Sequence, residues 1–277
     1  MAVLIGFLVA ASFGSGDFLG GLASRRARTI SVLAQSQIVA LGGAVVVALA
    51  AGGHATGHDL ALGAVAGLLN ATGLGCLYRG LAIGQNGLVA PLTAVTGAVL
   101  PVTWGIATGE RPSSAALVGI GLAVAAGAMV SSGRLVRRAS FVATASVLAV
   151  AAGICFGTSL ILYASTGHHS GFWPILSSRA SAVVGVVVVL QLSGRPHAVS
   201  SRPRRQAAVA GLLDVGGSAL LLIALRKGLT STVAPVASLA PGFTVVHAWW
   251  YLRERASPLQ VAGLGVALAG LALIAAG

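Results

Sequence analysis

The sequence contains very little charge and almost no acid. Only 8% of its 277 residues are charged, and five of them are Asp or Glu. A soluble domain is about one quarter charged, so this chain lacks the polar surface that a soluble fold needs. Its apolar share is 56% and its mean hydropathy is +0.94. This composition predicts an integral membrane protein.

Several motifs that would indicate chemistry are also absent. The two cysteines, Cys76 and Cys155, lie far apart in apolar runs, which favours small buried residues over a metal site. The sequence has no Gly-x-x-x-x-Gly-Lys loop, which argues against ATP as the direct energy source. It shows neither a nucleophile–base set nor a metal cluster, so we expect no enzyme activity, no cofactor and no metal.

The net charge of +12 comes from arginines in short loops between apolar runs. Such loops indicate topology signals and contacts with lipid headgroups, so we expect a lipid bilayer and no nucleic acid as partner.

About ten apolar runs fill the chain, each near the ~20 residues that a bilayer crossing requires. They are Val3–Leu22, Ile30–Ala51, Leu60–Ile83, Leu88–Ala107, Ala115–Val130, Phe141–Ala164, Trp173–Leu192, Ala207–Leu225, Val233–Leu252 and Leu259–Ala276. The first run has no preceding positive charge, so we interpret it as a retained span and not as a signal peptide.

One long stretch occurs twice. Residues Gly67–Ala128 align without a gap on Gly211–Ala272, with 19 identities in 62 positions. The repeat predicts two halves, residues 1–132 and 141–277, joined by a basic loop at 133–140. Because each half has five spans, the second enters the membrane from the opposite side. The predicted fold is an all-α integral membrane protein with ten transmembrane helices in two inverted five-helix repeats.

The paired motifs resemble a known family. Glu110-Arg111 and Glu254-Arg255, each followed by a Gly-x-Gly span, and the run Gly14–Gly21 in the first span are similar to EamA-type members of the drug/metabolite transporter superfamily. The resemblance implies a ten-helix secondary transporter that moves small metabolites, amino acids or drugs, often outward.

The arginines also carry information about orientation. Three basic residues lie on one predicted face, whereas the loops of the other face hold twelve. These twelve are Arg25, Arg26, Arg28, Arg134, Arg137, Arg138, Arg195, Arg202, Arg204, Arg205, Arg253 and Arg255. The positive-inside rule then places both termini outside the cell, in a multi-pass plasma-membrane protein. The resemblance implies the opposite orientation, with both termini inside.

Charged groups inside spans are costly and therefore indicate function. Asp17 is a candidate substrate or proton site. Alternatively, it lies close enough to the span end for its carboxylate to reach the lipid headgroups. Asp214 aligns with Asn70 under the repeat, so both are candidates for a shared cavity wall. Asp214 is also the candidate for proton coupling, or else it is a capped polar group near the loop at Arg204-Arg205. Arg179 could bind a substrate carboxylate, or it could pair with Asp17 or Asp214.

Three further residues are candidates. His247 could relay protons or be a hydrogen-bonded structural side chain. Pro101 and Pro241 lie inside spans four and nine, where a proline kinks a helix, and are candidate gates. Gly119-x-Gly121 and Gly263-x-Gly265 predict close helix contact within a monomer or in a weak homodimer.

Together these features predict a secondary active exporter of a small molecule that works by alternating access, with proton coupling as a further expectation. The alternative is a passive channel or a transporter-like membrane protein with a sensing or regulatory role.

Overall fold

The computed structural model describes residues 2–83, 86–131, 139–192, 200–228, 230–237, 239–252 and 257–276. Within these ranges the regular elements are helices and there is no strand. The α-helices are α1 (Ala2–Ser24), α2 (Thr29–Ala51), α3 (Gly57–Ala82), α4 (Asn86–Ala107), α5 (Ser114–Ser131), α6 (Ala139–Ala164), α7 (Trp173–Leu192), α8 (Ser201–Lys227), α9 (Thr230–Ala237), α10 (Ala240–Leu252) and α11 (Pro258–Ala276). The all-α class is confirmed. Most of the predicted loop 133–140 lies outside the described residues, as do Glu254 and Arg255.

The surface of this helical bundle is apolar. In the described ranges, six helical segments are long and apolar enough to cross a membrane: Leu4–Ser24, Thr29–Ala51, Gly57–Ala82, Ala143–Ala164, Trp173–Leu192 and Ser201–Lys227. Large apolar side chains such as Leu49, Val147 and Leu192 point outward, with Leu192 82% exposed. Exposed apolar surface on this scale is stable in lipid and not in water. The chain is therefore a multi-pass membrane protein.

The centre of the bundle is built from helices of both halves of the chain. Helix α1 packs on α8, α3 packs on α6 and α7, and α2 packs on α7 and α8. Glycines allow two of these approaches. A side chain at Gly67 of α3 would collide with the Ser178 carbonyl of α7, and one at Gly211 of α8 would collide with the Ser36 carbonyl of α2. Small residues at such crossings are typical of membrane helices, because packing there does not rely on the hydrophobic effect.

The predicted ninth span is not one continuous helix. Helix α9 ends at Ala237 and α10 begins at Ala240, with tight backbone hydrogen bonds from Leu239 N to Val236 O and from Gly242 N to Leu239 O. Pro241 lies in the first turn of α10, where a missing N–H leaves no hydrogen bond unmade. The break therefore replaces the kink that we expected inside a single helix. Pro101, in contrast, is buried within the continuous helix α4.

The glycine-rich helices α5 and α11 pack against each other. A side chain at Gly270 would lie 2.9 Å from the Gly119 carbonyl and 3.1 Å from the Ala123 amide. Gly121 and Gly265 face open space. Helices α5 and α11 thus approach each other closely within the chain at Gly119 and Gly270, whereas Gly121 and Gly265 of the predicted motifs do not lie at this contact.

One end of the bundle is held by polar contacts between the α2–α3 and α6–α7 connections, which we call the interloop contact (residues 53–59 with 167–173). The Asp59 carboxylate accepts hydrogen bonds from the Gly167 amide at 2.8 Å and from the Thr56 backbone and hydroxyl, in a capping box that starts α3. The Trp173 indole donates to the Gly53 carbonyl at 3.1 Å. Gly53 and Gly171 have φ of 107° and 54°, values that glycine adopts without strain.

Two charged side chains form further hydrogen bonds at this end of the bundle, each between different helices or connections. Arg226, near the end of α8, donates to the Gly171 carbonyl at 2.7 Å and to the Ser170 hydroxyl at 3.2 Å. Glu110, in the α4–α5 turn, accepts from the Thr230 amide at the start of α9 at 2.9 Å. Glu110 therefore ties its turn to the second half of the chain.

Candidate functional site

A polar cluster lies at the centre of the bundle, where α2, α3, α7 and α8 meet. It consists of Gln37, Asn70, Arg179, Asp214 and Ser218, contributed by these four helices. Helices α2 and α3 belong to the first half of the sequence and α7 and α8 to the second. The cluster therefore joins the two halves.

The Arg179 guanidinium organises this cluster. Its Nη1 donates to Asp214 Oδ2 at 2.7 Å, to Gln37 Oε1 at 3.2 Å and to Asn70 Oδ1 at 3.3 Å. Its Nη2 donates to Asp214 Oδ1 at 3.2 Å and to the Ser218 hydroxyl. The Gln37 amide also donates to Asp214 Oδ2, at 3.2 Å. Arg179 and Asp214 thus form a two-pronged ion pair with further hydrogen bonds around it.

Both partners of this ion pair are buried. The Arg179 side chain is 0% exposed and Asp214 is 7% exposed. A buried charge is tolerated when it is paired and hydrogen-bonded. The sequence left two interpretations of Arg179 open, a contact with a substrate carboxylate or an ion pair within the protein. In the structure Arg179 is paired with Asp214 and is not exposed. Among the described residues its Nε has no hydrogen-bond partner.

Next to the cluster lies a central cavity of about 130 Å³. Helices α1, α3, α4, α6, α8, α9 and α10 all contribute to its wall. Most of the wall is apolar, and the polar lining residues are Asp17, Asn70, Thr93, Ser159, Tyr163, Asp214, Ser218 and Thr244. Asp17, Asn70 and Asp214, which the sequence singled out as cavity candidates, thus reach the same space.

Several lining hydroxyls are already used in helix packing. Thr93 donates to the Ala149 carbonyl at 3.0 Å, Ser159 donates to the Ala66 carbonyl at 2.9 Å, and Thr244 donates to the Gly14 carbonyl at 3.0 Å. Each of these bonds joins two different helices. These hydroxyls therefore hold the cavity wall together.

Asp17 differs from the other polar lining groups. It lies on α1, half-buried, at the cavity wall. No hydrogen bond or ion pair to its carboxylate occurs among the residues that the structure describes. The ring of buried Tyr78 packs against Gly20, one turn further along α1, where any side chain would collide with it.

His247 lies on α10, outside the residues that line the cavity. Its Nδ1 is 2.6 Å from the Phe243 carbonyl in the preceding turn, and its Nε2 is 3.5 Å from the Ser15 hydroxyl. The ring packs on Phe18 with centroids 5.7 Å apart. This environment favours the structural interpretation of His247 over a proton relay through the cavity.

Sequence reasoning missed Gln37 and Tyr163. Gln37 is fully buried and bonds both Arg179 and Asp214. Tyr163 lines the cavity and donates to the Ser178 hydroxyl at 2.6 Å. The signal for Gln37 was available, since an amide in the middle of an apolar span needs a polar partner.

In the described part of the chain, no group of three or more His, Cys, Asp or Glu side chains could hold a metal.

Comparison with known proteins agrees with this architecture. Residues 143–276 match the model of the EamA-like transporter family. A solved structure, described only as "Crystal structure of protein", is similar over 99% of this chain and 98% of that chain, with a TM-score of 0.74 and 15% sequence identity. At that identity the likeness shows the fold alone. No curated protein matches the chain. The resemblance predicted from the sequence is thereby confirmed: residues 143–276 form an EamA-like transporter domain, and that family is part of the drug/metabolite transporter superfamily.

Proposed function

We propose that this protein is a secondary active transporter whose two halves are inverted five-helix repeats around the central cavity. In this proposal α9 and α10 together form the ninth of ten spans. The cavity opens to one side of the membrane and then to the other, and it carries a small metabolite, amino acid or drug outward. The family match supports a membrane transporter of this type.

The observation that carries the proposal is the equivalence of contacts around the cavity. A side chain at Gly73 of α3 would lie 2.7 Å from Phe156 Cε1 of α6, and one at Gly217 of α8 would lie 2.7 Å from Phe13 Cε1 of α1. Gly73 and Gly217 are 144 positions apart, the same offset as the sequence repeat. Two halves related by a two-fold axis in the membrane plane produce such paired contacts.

The close helix crossings obey the same relation. The contact of Gly67 in the first half with Ser178 in the second corresponds to the contact of Gly211 in the second half with Ser36 in the first. In the polar cluster, Asn70 occupies the position that corresponds to Asp214. The cluster therefore lies where the pseudo-two-fold axis passes, and a rocking motion of one half against the other would pivot there.

Transport against a gradient is the direct test. Purified protein is reconstituted into vesicles with an imposed proton gradient, and the uptake of a mixture of amino acids and small drugs is measured by mass spectrometry. We expect at least one compound to accumulate above its external concentration, and a protonophore to abolish the accumulation. Proton coupling would act through Asp17 or Asp214, the carboxylates at the cavity wall. Flux that only equilibrates compounds would indicate a passive channel and contradict the proposal.

The orientation is also part of the proposal. The strong excess of arginine on one predicted face supports termini outside the cell and a plasma-membrane location. We further propose that the protein acts as a monomer or a weak homodimer.

A further inference from the structure

We propose that one end of the bundle binds an anionic phospholipid, whose phosphate bridges the first and second halves of the chain. The site is a group of exposed arginines, which we call the basic patch: Arg25, Arg26, Arg28, Arg202, Arg204 and Arg205. This inference concerns the lipid around the protein and does not depend on the transport proposal.

The basic patch forms because three helices end or begin at the same place. A side chain at Gly217 of α8 would lie 2.7 Å from Phe13 Cε1 of α1, and one at Gly16 would lie 3.4 Å from the Ala210 carbonyl. The two helices are therefore antiparallel, and the end of α1 lies beside the start of α8. Helix α2 begins just after residues 25–28 and also packs on α8. Arginines from both halves of the chain thus meet at this end.

No carboxylate balances the basic patch in the described part of the chain. Asp59 and Glu110 lie at the opposite end of the bundle, and the other two described acids line the central cavity. The fifth acid, Glu254, lies outside the described residues, and its sequence neighbours Arg253 and Arg255 outnumber it. Within the described ranges, the arginines at 26, 28, 202, 204 and 205 form no salt bridge. The patch therefore carries an excess of positive charge.

The position of the arginines in α8 adds to this excess. Arg202, Arg204 and Arg205 lie at the start of α8, and its first turn contains no acid. The start of a helix carries a partial positive charge, so cations are unfavourable there and anions are favourable. Repulsion within the patch is therefore relieved most directly by a bound anion.

Aromatic side chains place the basic patch at the depth of the lipid headgroups. Arg202 donates to the Tyr251 hydroxyl at 3.0 Å. Tyr251 and Trp250, at the end of α10, are 51% and 84% exposed. Exposed Trp and Tyr at helix ends are typical of the membrane interface. A guanidinium matches the geometry of a phosphate with paired hydrogen bonds. The anion that fits this place is therefore a lipid phosphate.

The opposite end of the bundle shows what the phosphate replaces. There the Asp59 carboxylate accepts from the Gly167 amide and joins the two halves through the interloop contact. Helices α3 and α8 correspond at an offset of 144, and the equivalent contacts of Phe13 and Phe156 relate α1 to α6 at an offset of 143. Asp59 therefore corresponds to a proline in the first turn of α8, and Gly167 corresponds to the last residue of α1.

These two counterparts lack the acceptor that Asp59 provides. The proline, Pro203, has no carboxylate. The last residue of α1 is Ser24, which is 8% exposed, and its hydroxyl has no hydrogen-bond partner among the described residues. A phosphate held by the basic patch would supply the missing negative acceptor. The lipid would then join the two halves at this end, as Asp59 does at the other.

Three additives test the site on purified protein in a neutral detergent: phosphatidylglycerol, phosphatidylcholine and inorganic phosphate. Native mass spectrometry measures lipid affinity and stoichiometry, and thermal unfolding is followed in parallel. We expect one phosphatidylglycerol to bind at least roughly tenfold more tightly than phosphatidylcholine, whose headgroup has no net charge. It should also raise the unfolding midpoint more. Inorganic phosphate at the same concentration should leave the midpoint unchanged, because it has no acyl chain to hold it at the apolar surface.

Variants then assign the preference to the basic patch. Arg28→Gln and Arg204→Gln each remove one arginine, from the first and the second half respectively. Each should weaken phosphatidylglycerol binding roughly fivefold, and the two together roughly twentyfold. The control is the double variant Arg111→Gln with Lys227→Gln, which removes the same charge from exposed positions at the opposite end. It should keep the wild-type affinity.

Four results would overturn the inference. Equal affinity of the wild-type protein for the two lipids would show that the patch does not select charge. An equal rise of the midpoint with inorganic phosphate would indicate a free anion and not a lipid. Wild-type affinity in the folded double variant of Arg28 and Arg204 would place the lipid elsewhere. Equal weakening in the control pair would show that the lipid responds to net charge alone.

Discussion

Arg179 and Asp214 form a buried ion pair, with Nη1 and Oδ2 2.7 Å apart, although 35 residues separate them in sequence. Arg179 comes from α7 and Asp214 from α8. Gln37 and Asn70, from the corresponding helices of the first half, bond to the same guanidinium. A charged pair and an amide pair thus meet at the centre of the protein.

The ion pair should matter most when one partner is removed. Arg179→Gln and Asp214→Asn should each lower the free energy of unfolding by about 3–5 kcal/mol, because each leaves a buried charge uncompensated. The double variant should lose clearly less than the sum of the two, since it leaves no orphaned charge. Reversible unfolding in mixed detergent micelles measures all four proteins. Additive losses would show that the two charges do not interact as the structure indicates.

The helix crossing at Gly67 predicts strong sensitivity to a single methyl group. Gly67→Ala should destabilise the protein by about 1–3 kcal/mol, because the methyl group collides with the Ser178 carbonyl of α7. Gly42→Ala on α2 is the matched control, since a side chain there meets nothing within 4 Å. The control should be neutral or stabilising by about 0.5–1 kcal/mol, from the better helix propensity of alanine. Similar losses in both variants would contradict the observed crossing.

The interloop contact depends on Asp59. Asp59→Ala removes the capping box of α3 and the acceptor of the Gly167 amide, at a cost of about 1 kcal/mol for the cap alone. Hydrogen exchange at the Gly167 amide and protease cleavage within residues 165–172 should both become faster. His58→Ala, at the exposed neighbouring position, is the control and should change neither rate. Unchanged exchange in Asp59→Ala would show that the interloop contact does not protect this segment.

His247 provides a test of a structural role against a role in transport. His247→Gln should lower the unfolding free energy by about 1 kcal/mol through the altered bond to the Phe243 carbonyl. It should leave uphill flux in vesicles intact, because the ring does not line the cavity. Lost flux at unchanged stability would instead support a proton relay.

The sequence predicted those features that follow from local patterns. Apolar runs near bilayer length marked most helices, and the costs of buried charge marked Asp17, Arg179 and Asp214. It could not choose between Asp17 and Asp214 as the partner of Arg179, because that choice depends on how distant helices cross. Gln37 escaped notice because a neutral amide adds little to a hydropathy average.

The break between α9 and α10 shows a second limit of sequence reasoning. Pro241 signalled an interruption, but its form depends on packing around Gly14. A side chain at Gly14 would collide with the Ala240 carbonyl, so α1 approaches the first turn of α10 closely. Periodicity along one helix contains no information about that neighbour.

In the proposed function, the two halves of the chain face opposite ways across the membrane. Ser113 and Ser257 are 144 positions apart, and each carbonyl accepts the amide four residues on, at the start of α5 and α11 respectively. Ser113→Cys and Ser257→Cys are introduced separately into a protein with Cys76 and Cys155 replaced by serine. Each is then labelled in sealed right-side-out and inside-out vesicles with a membrane-impermeant maleimide. We predict that the two cysteines react from opposite sides; reaction from the same side would contradict inverted repeats and the transport mechanism built on them.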